Sequence, residues 1–474
     1  MAAIKPARLI SQRAHLIPGQ LHVTEHFFEV PKNYFRPELG SLKLFARSVR
    51  KHERPIIPLS RQEQEMASRN PYLVFLEGGP GFGNREPQES PITSYMLNRG
   101  YQVLFLDYRG TGLSTPLNAR HLKQLGSPRD QAEYLKLLRA DNNVRDLEAV
   151  RLCLTAEFPE DRKKWSLFGQ SFGGFVSLTY LSKYPKGLRE VFLTGGLAPI
   201  KSTPEQVYRA TYKKVIERNQ AYYQKFPEDI HSVKRIISYI AQQRKGIPLP
   251  SGGYLTVTRL LSLGLSFGAH GGLDSVHSLI LRLVTDLEQF GILTRSTLTA
   301  MEQNIPFDTN PIYAILHEPI YCFKKGVASR WAAFRVGKQF KNFAWLAPEE
   351  HLASPPTYSS DDDVPYFSGE MVFPDHFESY PELVEMREAA EILAETDDWD
   401  ELYDEEQLRR NEVPVYAASF VDDMYVDFEL ARETARIVKG CQVFETNRMY
   451  HNAVRARTDE VIGQLFKMRD DSID

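Results

Sequence analysis

Gly169-Gln170-Ser171-Phe172-Gly173 is the stretch that decides the fold, because a serine flanked by glycines follows directly on a short apolar run. The preceding residues Trp165–Phe168 (WSLF) are typical of a buried strand, and Phe175–Tyr184 is typical of a helix. In a strand–turn–helix setting, the G-x-S-x-G pattern predicts a sharp turn that presents the serine hydroxyl. Glycines on either side let the neighbouring backbone pass without a Cβ clash. We therefore expect Ser171 to be a catalytic nucleophile.

The apolar runs around this motif predict a parallel sheet. They share a short length without alternation, which is typical of strands buried on both faces; they are Tyr72–Leu76, Val103–Leu106, Trp165–Phe168 and Val191–Leu193. Helical patterns such as Asn142–Leu154 separate several of them, and this succession predicts a doubly wound sheet. Upstream, Leu21–Val30 and Leu42–Val49 predict an antiparallel strand pair. We expect the basic chain before this pair to be a frayed arm rather than a transit peptide.

Strand patterns disappear between about residues 201 and 410. Helix-like segments such as Glu205–Glu217 and Leu383–Thr396 occupy this region, with turn signals such as Pro355–Pro356. Sheet and helix patterns then return as Val413–Phe420, a helix near Phe428–Val438, Cys441–Glu445, and a helix near Val454–Lys467. We predict an α/β-hydrolase fold in which residues 1–200 and 411–474 form the mostly parallel core. Residues 201–410, called the cap segment below, are expected to form an inserted helical cap.

Composition excludes several functional classes. The 474 residues include 58 basic and 61 acidic side chains, a net charge of −3, which indicates neither a nucleic-acid nor a membrane surface. No run of about 18 apolar residues could span a bilayer. Cys153, Cys322 and Cys441 form no CxxC pair, which argues against a disulfide framework or zinc site and favours a reducing, cytosolic setting. We expect no metal or cofactor, and the oligomeric state is not predicted.

A second glycine-rich stretch, Glu77-Gly78-Gly79-Pro80-Gly81, follows the strand Tyr72–Leu76. A plain turn would explain the glycines but not their position after the strand that supplies the oxyanion hole in α/β-hydrolases. We predict that the amides of Gly79 and Phe172 form this hole, in which one donor is typically worth ~3–4 kcal/mol.

The partners of Ser171 are sought late in the chain, because this fold places the acid and then the histidine after the nucleophile. His451 is the only histidine after residue 400 and follows the strand Cys441–Glu445. The acid follows Val413–Phe420, where Asp422, Asp423 and Asp427 are candidates. Asp427 lies near the start of a helix, where a carboxylate is commonplace. Position and spacing leave Asp422 and Asp423 open.

Together these motifs resemble the proline iminopeptidase family of α/β-hydrolases, in particular its larger fungal and bacterial prolyl aminopeptidases. The stretches that carry the resemblance are EGGPGFG (Glu77–Gly83), DYRGTGLS (Asp107–Ser114), GQSFGGF (Gly169–Phe175), HEPIYC (His317–Cys322), SGEMVFP (Ser368–Pro374) and DDMYV (Asp422–Val426). It extends from about residue 20 to the C-terminus. In the family the acid precedes a hydrophobic residue, which favours Asp423 before Met424. Glu77 departs from the pattern, since the family often has histidine there.

The resemblance implies a serine aminopeptidase that releases N-terminal proline from short peptides through an acyl-enzyme. It implies that Glu318 and Glu370 hold the protonated amine. Tyr321 and Phe373 are expected to line the proline ring pocket, although either could equally belong to the core. Asp107 and Arg109 are expected to tie loops together behind the site.

Three other functions fit the same nucleophile. A carboxylesterase would share the triad and differ in the cap, and a tripeptidyl-type aminopeptidase would release longer N-terminal pieces. A catalytically inactive relative that acts as a binding module is disfavoured by the intact set Ser171, Asp423 and His451. Haloalkane dehalogenases and epoxide hydrolases need an acid at position 171, so serine excludes them.

Overall fold

The computed structural model describes residues 4–52, 60, 63, 66, 68–305, 307–346 and 363–471. Its strands in chain order are β1 (Arg8–Ile17), β2 (Leu21–Pro31), β3 (Ser41–Lys51), β4 (Tyr72–Leu76), β5 (Gln102–Leu106), β6 (Trp165–Gln170), β7 (Leu188–Thr194), β8 (Ile247–Pro248), β9 (Tyr254–Leu255), β10 (Val415–Phe420) and β11 (Cys441–Thr446). Nine of them form one sheet in the order β1-β2-β3-β5-β4-β6-β7-β10-β11, and β8 pairs with β9.

Strand direction divides this sheet into two parts. The strands β1, β2, β3 and β5 pair antiparallel, whereas β5, β4, β6, β7, β10 and β11 are all parallel. The central strands β4, β5, β6 and β10 are buried along their whole length, and for β4, β5 and β6 the unalternating apolar sequences predicted this burial. The predicted α/β-hydrolase fold with a mostly parallel sheet is confirmed.

Helices pack on the sheet and fill the region between β7 and β10. In chain order they are α1 (Thr93–Asn98), α2 (Ala119–Lys123), α3 (Pro128–Lys136), α4 (Ala140–Leu154), α5 (Phe172–Lys183), α6 (Pro204–Lys225), α7 (Asp229–Ala241), α8 (Val257–Leu261), α9 (Gly272–Phe290), α10 (Arg295–Asn304), α11 (Pro311–Leu316), α12 (Ala332–Gly337), α13 (His376–Ser379), α14 (Pro381–Val384), α15 (Arg387–Glu395), α16 (Glu405–Arg409), α17 (Phe428–Ile437), α18 (Ala453–Ala456) and α19 (Thr458–Asp470).

The cap segment contains α6 to α16 and the small β8–β9 pair, and in its described residues it adds no strand to the nine-stranded sheet. This agrees with a helical insertion, while the boundaries at residues 200 and 410 stay predictions. Pro355–Pro356 lies outside the described residues. In the described part of the chain, no helix is long and apolar enough to cross a bilayer.

The expected frayed arm at the N-terminus is wrong. Residues Arg8–Ile17 form β1, which pairs antiparallel with β2 from Arg8↔Glu29 to Ile17↔Leu21. The side chains of β1 are exposed over nearly its whole length. Backbone pairing at the edge of β2 therefore orders this strand, and no buried apolar face marks it in the sequence.

Two predicted helices are each broken in two. The segment expected at Leu383–Thr396 forms α14 and α15, and the helix expected near Val454–Lys467 forms α18 and α19. The second break lies at Arg457, whose φ of −139° is not helical. Periodicity detects the apolar stripe shared by both pieces but not a change of direction at one residue.

Candidate active site

Ser171 sits in the sharp turn between β6 and α5 that the sequence predicted. Its backbone has φ 55° and ψ −122°, and its N–H donates to the carbonyl of Thr194 over 3.0 Å. A positive φ in a residue with a side chain typically costs of order 1–3 kcal/mol. A Cβ on Gly173 would lie 2.0 Å from the carbonyl oxygen of Leu76, and one on Gly169 would lie 2.5 Å from the carbonyl oxygen of Gly173. The two glycines therefore allow the backbone contacts that keep this turn closed.

The loop Glu77–Gly83, called the glycine loop below, passes directly beside Ser171. A Cβ on Gly78 would lie 3.1 Å from the Cβ of Ser171 and 2.7 Å from Oε1 of Gln170. Gly79 has φ +127°, a conformation that favours glycine. The loop thus brings its backbone to the side chain of Ser171. Within this loop it is Gly78, which the sequence analysis did not single out, whose backbone lies against the Ser171 side chain.

His451 and Asp423 form a buried pair. Nδ1 of His451 lies 2.7 Å from Oδ2 of Asp423, and the two residues are 5% and 2% exposed. Oδ1 of Asp423 accepts the backbone N–H groups of Tyr425 at 2.9 Å and Val426 at 3.1 Å. With Oδ1 held by the turn, Oδ2 faces the imidazole. A Cβ on Gly195 would lie 3.0 Å from Nδ1 of His451, so the loop after β7 also touches this pair.

The other two candidate acids point elsewhere. The side chain of Asp422 is 40% exposed and lies 3.5 Å from Nζ of Lys214. Asp427 caps α17 by accepting the N–H groups of Glu429 and Leu430, each at 3.1 Å. Among these three acids, only Asp423 contacts His451.

Charged neighbours set the pKa of His451. Burial lowers the pKa, but the charge of Asp423, its hydrogen bond and the charge of Glu370 together raise it above its ordinary value. Arg455 opposes this rise. The charge of Glu370, a carboxylate of the cap segment, thus adds to that of Asp423 in raising this pKa.

Glu370 is held by two side chains of the cap segment. Its Oε1 accepts from the Tyr313 hydroxyl at 2.7 Å, and its Oε2 lies 3.4 Å from Nε2 of His317. The side chain is only 16% exposed. Burial disfavours the carboxylate form, yet His317, His451 and Tyr313 hold the pKa of Glu370 below its ordinary value. Glu370 therefore supplies an ionised carboxylate inside the protein.

Glu318 is buried and occupied by backbone groups. Its Oε1 accepts the N–H of Ala333 at 2.8 Å and its Oε2 that of Ala332 at 3.1 Å, at the start of α12. Burial raises its pKa to about 7 against these hydrogen bonds. Glu318 thus satisfies amides at a helix end, a role that the sequence analysis did not predict.

The two predicted ring-pocket aromatics differ in their surroundings. The Tyr321 ring lies 6.2 Å from that of Phe175 in α5, the helix that begins beside Ser171, and 5.8 Å from that of Tyr208. Phe373 is fully buried, and its nearest recorded rings are His376 at 5.5 Å and Trp345 at 5.7 Å, both in the cap segment. The structure therefore brings Tyr321 to the core beside the nucleophile and leaves Phe373 within the cap segment.

The chain is similar to known proteins over nearly its whole length. Residues 71–246 match a family model described as alpha/beta hydrolase fold. The chain is 41% identical over 471 residues to proline iminopeptidase aneH of Aspergillus aculeatus, covering 99% of both chains. It is 39% identical over 463 residues to the proline iminopeptidase of Aeromonas sobria, covering 98% of this chain and 100% of that one. The chain belongs to the proline iminopeptidase family.

Three further residues lie around the site of this proline iminopeptidase family member. The sequence analysis did not predict them as site residues. Tyr313 binds Glu370 and lies with its ring 5.4 Å from that of Phe82 in the glycine loop. His317 stands beside Glu370, and the Tyr425 ring lies perpendicular to His451 at 4.6 Å. His317 and Tyr425 belong to the stretches HEPIYC and DDMYV, whose resemblance to the family could have drawn attention to them.

Asp107 and Arg109 stabilise loops, as expected. Asp107 accepts the N–H of Asn84 at 2.7 Å and that of Leu113 at 3.0 Å. Arg109 forms two contacts with Asp146, of 2.7 and 2.6 Å, and both side chains are almost completely buried. This paired geometry satisfies both buried charges.

One group of side chains within the described residues has the spacing of a metal site. Ligand atoms of Glu228, Asp229 and His277 lie within 4.8 Å of one another. Oδ2 of Asp229 is 2.9 Å from Nδ1 of His277 and also accepts from the Tyr222 hydroxyl. These hydrogen bonds account for the proximity of Asp229 and His277, and Glu228 is the neighbour of Asp229 in the chain.

Proposed function

We propose that this protein is a serine aminopeptidase that releases proline from the N-terminus of short peptides. The observation that carries the proposal is Glu370, a carboxylate of the cap segment that is only 16% exposed, accepts from the Tyr313 hydroxyl at 2.7 Å and lies 3.4 Å from Nε2 of His317. Its charge also raises the pKa of His451. A hydrolase for neutral acyl groups has no need of a buried negative charge beside its imidazole. A substrate with a protonated N-terminal amine one residue from the scissile bond does need one. The names of the two full-length relatives support the same activity.

Ser171, His451 and Asp423 are the proposed triad. The Ser171 hydroxyl attacks the carbonyl carbon of the N-terminal prolyl residue while Nε2 of His451 takes the hydroxyl proton. Asp423, bound to Nδ1, orients the imidazole and stabilises its charged form. We propose that the amides of Gly79 and Phe172 bind the resulting oxyanion; the position of the glycine loop beside Ser171 supports this assignment.

The remaining steps return the enzyme to its starting state. His451 donates its proton to the leaving amine as the C–N bond breaks, which leaves a prolyl ester on Ser171. Water then attacks the ester and gives a proton to His451. The Ser171 oxygen leaves with that proton, and free proline is released.

The cap segment supplies the proposed contacts of the substrate amine. Glu370 is the proposed principal contact of the protonated secondary amine, and Tyr321 a wall of the ring pocket. Glu318 remains a proposed second contact, since each carboxylate oxygen can accept more than one hydrogen bond. Both of its oxygens already bind α12, so we expect the smaller contribution from it. Phe373 is proposed to support the pocket from within the cap segment.

The proposed setting is the cytoplasm, with short peptides as the partners. Cys153, Cys322 and Cys441 are all free thiols, which supports a reducing compartment. Neither the net charge of −3 nor the helices described suggest a membrane or nucleic-acid partner.

A substrate panel tests the proposal. Fluorophosphonate labelling of wild type and Ser171→Ala first establishes the nucleophile, and Ser171→Ala is expected to lose labelling and turnover. Hydrolysis of aminoacyl-naphthylamides should then be fastest with proline. Faster release of tripeptides, or hydrolysis of simple esters alone, would replace the proposal with a tripeptidyl aminopeptidase or a carboxylesterase. Activity of Ser171→Ala within about tenfold of wild type would contradict the mechanism itself.

A further inference from the structure

Glu77 and Arg455 join the glycine loop to the helix that follows His451. A guanidinium N–H of Arg455 donates to Oε1 of Glu77, and the same oxygen accepts the N–H of Gly78 at 3.0 Å. The Glu77 side chain is only 7% exposed, while that of Arg455 is 31% exposed. A single carboxylate oxygen therefore fixes one peptide group of the glycine loop and one side chain of α18.

Both partners adjoin groups of the proposed mechanism. Gly78 separates Glu77 from the proposed donor Gly79, and its backbone lies against the Ser171 side chain. Arg455 lies four residues after His451, within the four-residue helix α18. Because α18 is so short, its main anchors are the buried Ala453 and Val454 and the ion pair of Arg455. A shift of the glycine loop would therefore displace the loop that carries His451, and a shift of that loop would displace the glycine loop.

We infer that Glu77 and Arg455 are positioning residues, which fix the proposed oxyanion donor of the glycine loop, the Gly79 amide, relative to the His451 imidazole. The inference rests on the proposed triad. It assigns a role in the same mechanism to two residues that are not themselves proposed to contact the substrate or the reacting atoms. Displacement of catalytic groups by about 1 Å can cost on the order of a hundredfold in rate. A salt link between the two loops limits such displacement.

Arg455 also acts on the charge of His451. The charged groups that face this imidazole are Asp423 after β10, Glu370 in the cap segment and Arg455 in α18, and the Tyr425 ring covers it. Asp423 and Glu370 raise the pKa of His451, whereas Arg455 lowers it. Loss of the Arg455 charge therefore raises this pKa and moves the acid limb of the pH–rate profile to higher pH.

The test compares four variants on prolyl-naphthylamide and nitrophenyl acetate. Arg455→Met removes the charge and keeps the apolar stem, Arg455→Lys keeps the charge, and Glu77→Gln keeps the acceptor oxygen. Arg457→Met is the matched control, because Arg457 lies two residues after Arg455 and forms an exposed pair with Glu460 at 3.2 Å. Rates are expressed per site titrated with fluorophosphonate, so that unfolded protein does not count as lost catalysis.

We expect Arg455→Met to lower kcat by about ten- to a hundredfold on both substrates with little change in KM, since the donors serve every substrate. Its acid limb should move to higher pH. Arg455→Lys should recover part of the loss, Glu77→Gln should lose about tenfold or less, and Arg457→Met should match wild type.

Three results would overturn the inference: an unchanged kcat per titrated site in Arg455→Met, a loss confined to the proline substrate, or an acid limb that does not move. Failure of the proposed function is separate from these. It would show as poor proline release by wild type, or as turnover that survives in Ser171→Ala.

Discussion

Nδ1 of His451 lies 2.7 Å from Oδ2 of Asp423, and both side chains are buried. This contact engages one ring nitrogen and leaves Nε2 as the nitrogen that can serve Ser171. It also favours Asp423 over Asp422 as the proposed acid, because the partly exposed Asp422 lies beside Lys214. The chemistry proposed for the site depends on this pair more than on any other contact.

Replacement of the two adjacent acids should give opposite results. Asp423→Asn puts an amide against the imidazole, which favours the wrong tautomer and removes the charge that stabilises the imidazolium. We expect kcat to fall by about 10⁴-fold. Asp422→Asn is a matched control that removes a partly exposed contact, and should remain within about twofold of wild type. A larger loss in Asp422→Asn than in Asp423→Asn would transfer the role to Asp422.

Sequence patterns predicted those elements in which burial or a glycine-dependent backbone conformation determines the residue types over a short stretch of chain. Continuous apolar runs located β4, β5, β6 and β7, and the glycines around Ser171 located the turn. β1 escaped prediction because an exposed edge strand carries no apolar face.

The site contacts that sequence could not predict join residues far apart in the chain. Glu318 accepts the amide of Ala333, 15 residues later, and Glu370 binds the Tyr313 hydroxyl, 57 residues earlier. Such contacts depend on how the helices of the cap segment pack against one another. The hydrophobic periodicity of each helix does not determine that packing. The resemblance to a family identified both glutamates but not their different partners.

The pH dependence should distinguish the roles of the two glutamates. His451 must be neutral to accept the serine proton, and its pKa is raised, so the acid limb of kcat/KM should have its midpoint above about 6.5. The pKa of Glu370 is lowered, so this carboxylate stays charged across the limb. We therefore expect the same single ionisation with an ester and with a proline substrate. Glu318, with a pKa of about 7, would add a second ionisation for the proline substrate alone if it were the main contact.

Tyr313→Phe should affect only substrates that carry an amine. The Tyr313 hydroxyl donates to Oε1 of Glu370 at 2.7 Å, and its loss leaves that carboxylate less firmly placed and less favoured as an anion. We expect kcat/KM for prolyl-naphthylamide to fall by about five- to twentyfold and that for nitrophenyl acetate to stay unchanged. An equal loss on both substrates would show that Tyr313 mainly supports the glycine loop.

The stability of the core should depend on the buried pair of Arg109 and Asp146. Arg109→Met leaves the buried charge of Asp146 without its ion-pair partner and with the Tyr34 hydroxyl as a hydrogen-bond donor at 2.8 Å, so the free energy of unfolding should fall by about 3–5 kcal/mol. Arg330→Met, which removes an exposed pair with Glu395, should change it by less than about 1 kcal/mol. Denaturant unfolding measures both variants, and equal values for the two would contradict the importance of the buried pair.

The most direct test of the central claim measures kcat/KM of wild type, Glu370→Gln and Glu318→Gln on three substrates: prolyl-naphthylamide, its N-acetylated form, and nitrophenyl acetate. Wild type should cleave the free-amine substrate well and the acetylated one poorly. Glu370→Gln should lose about ten- to a hundredfold on prolyl-naphthylamide alone, since a charge-assisted contact is worth roughly 1.5–3 kcal/mol, and Glu318→Gln should lose less. Efficient cleavage of the acetylated substrate by wild type, or equal losses of Glu370→Gln on the ester and the proline substrate, would contradict an aminopeptidase that reads its substrate through Glu370.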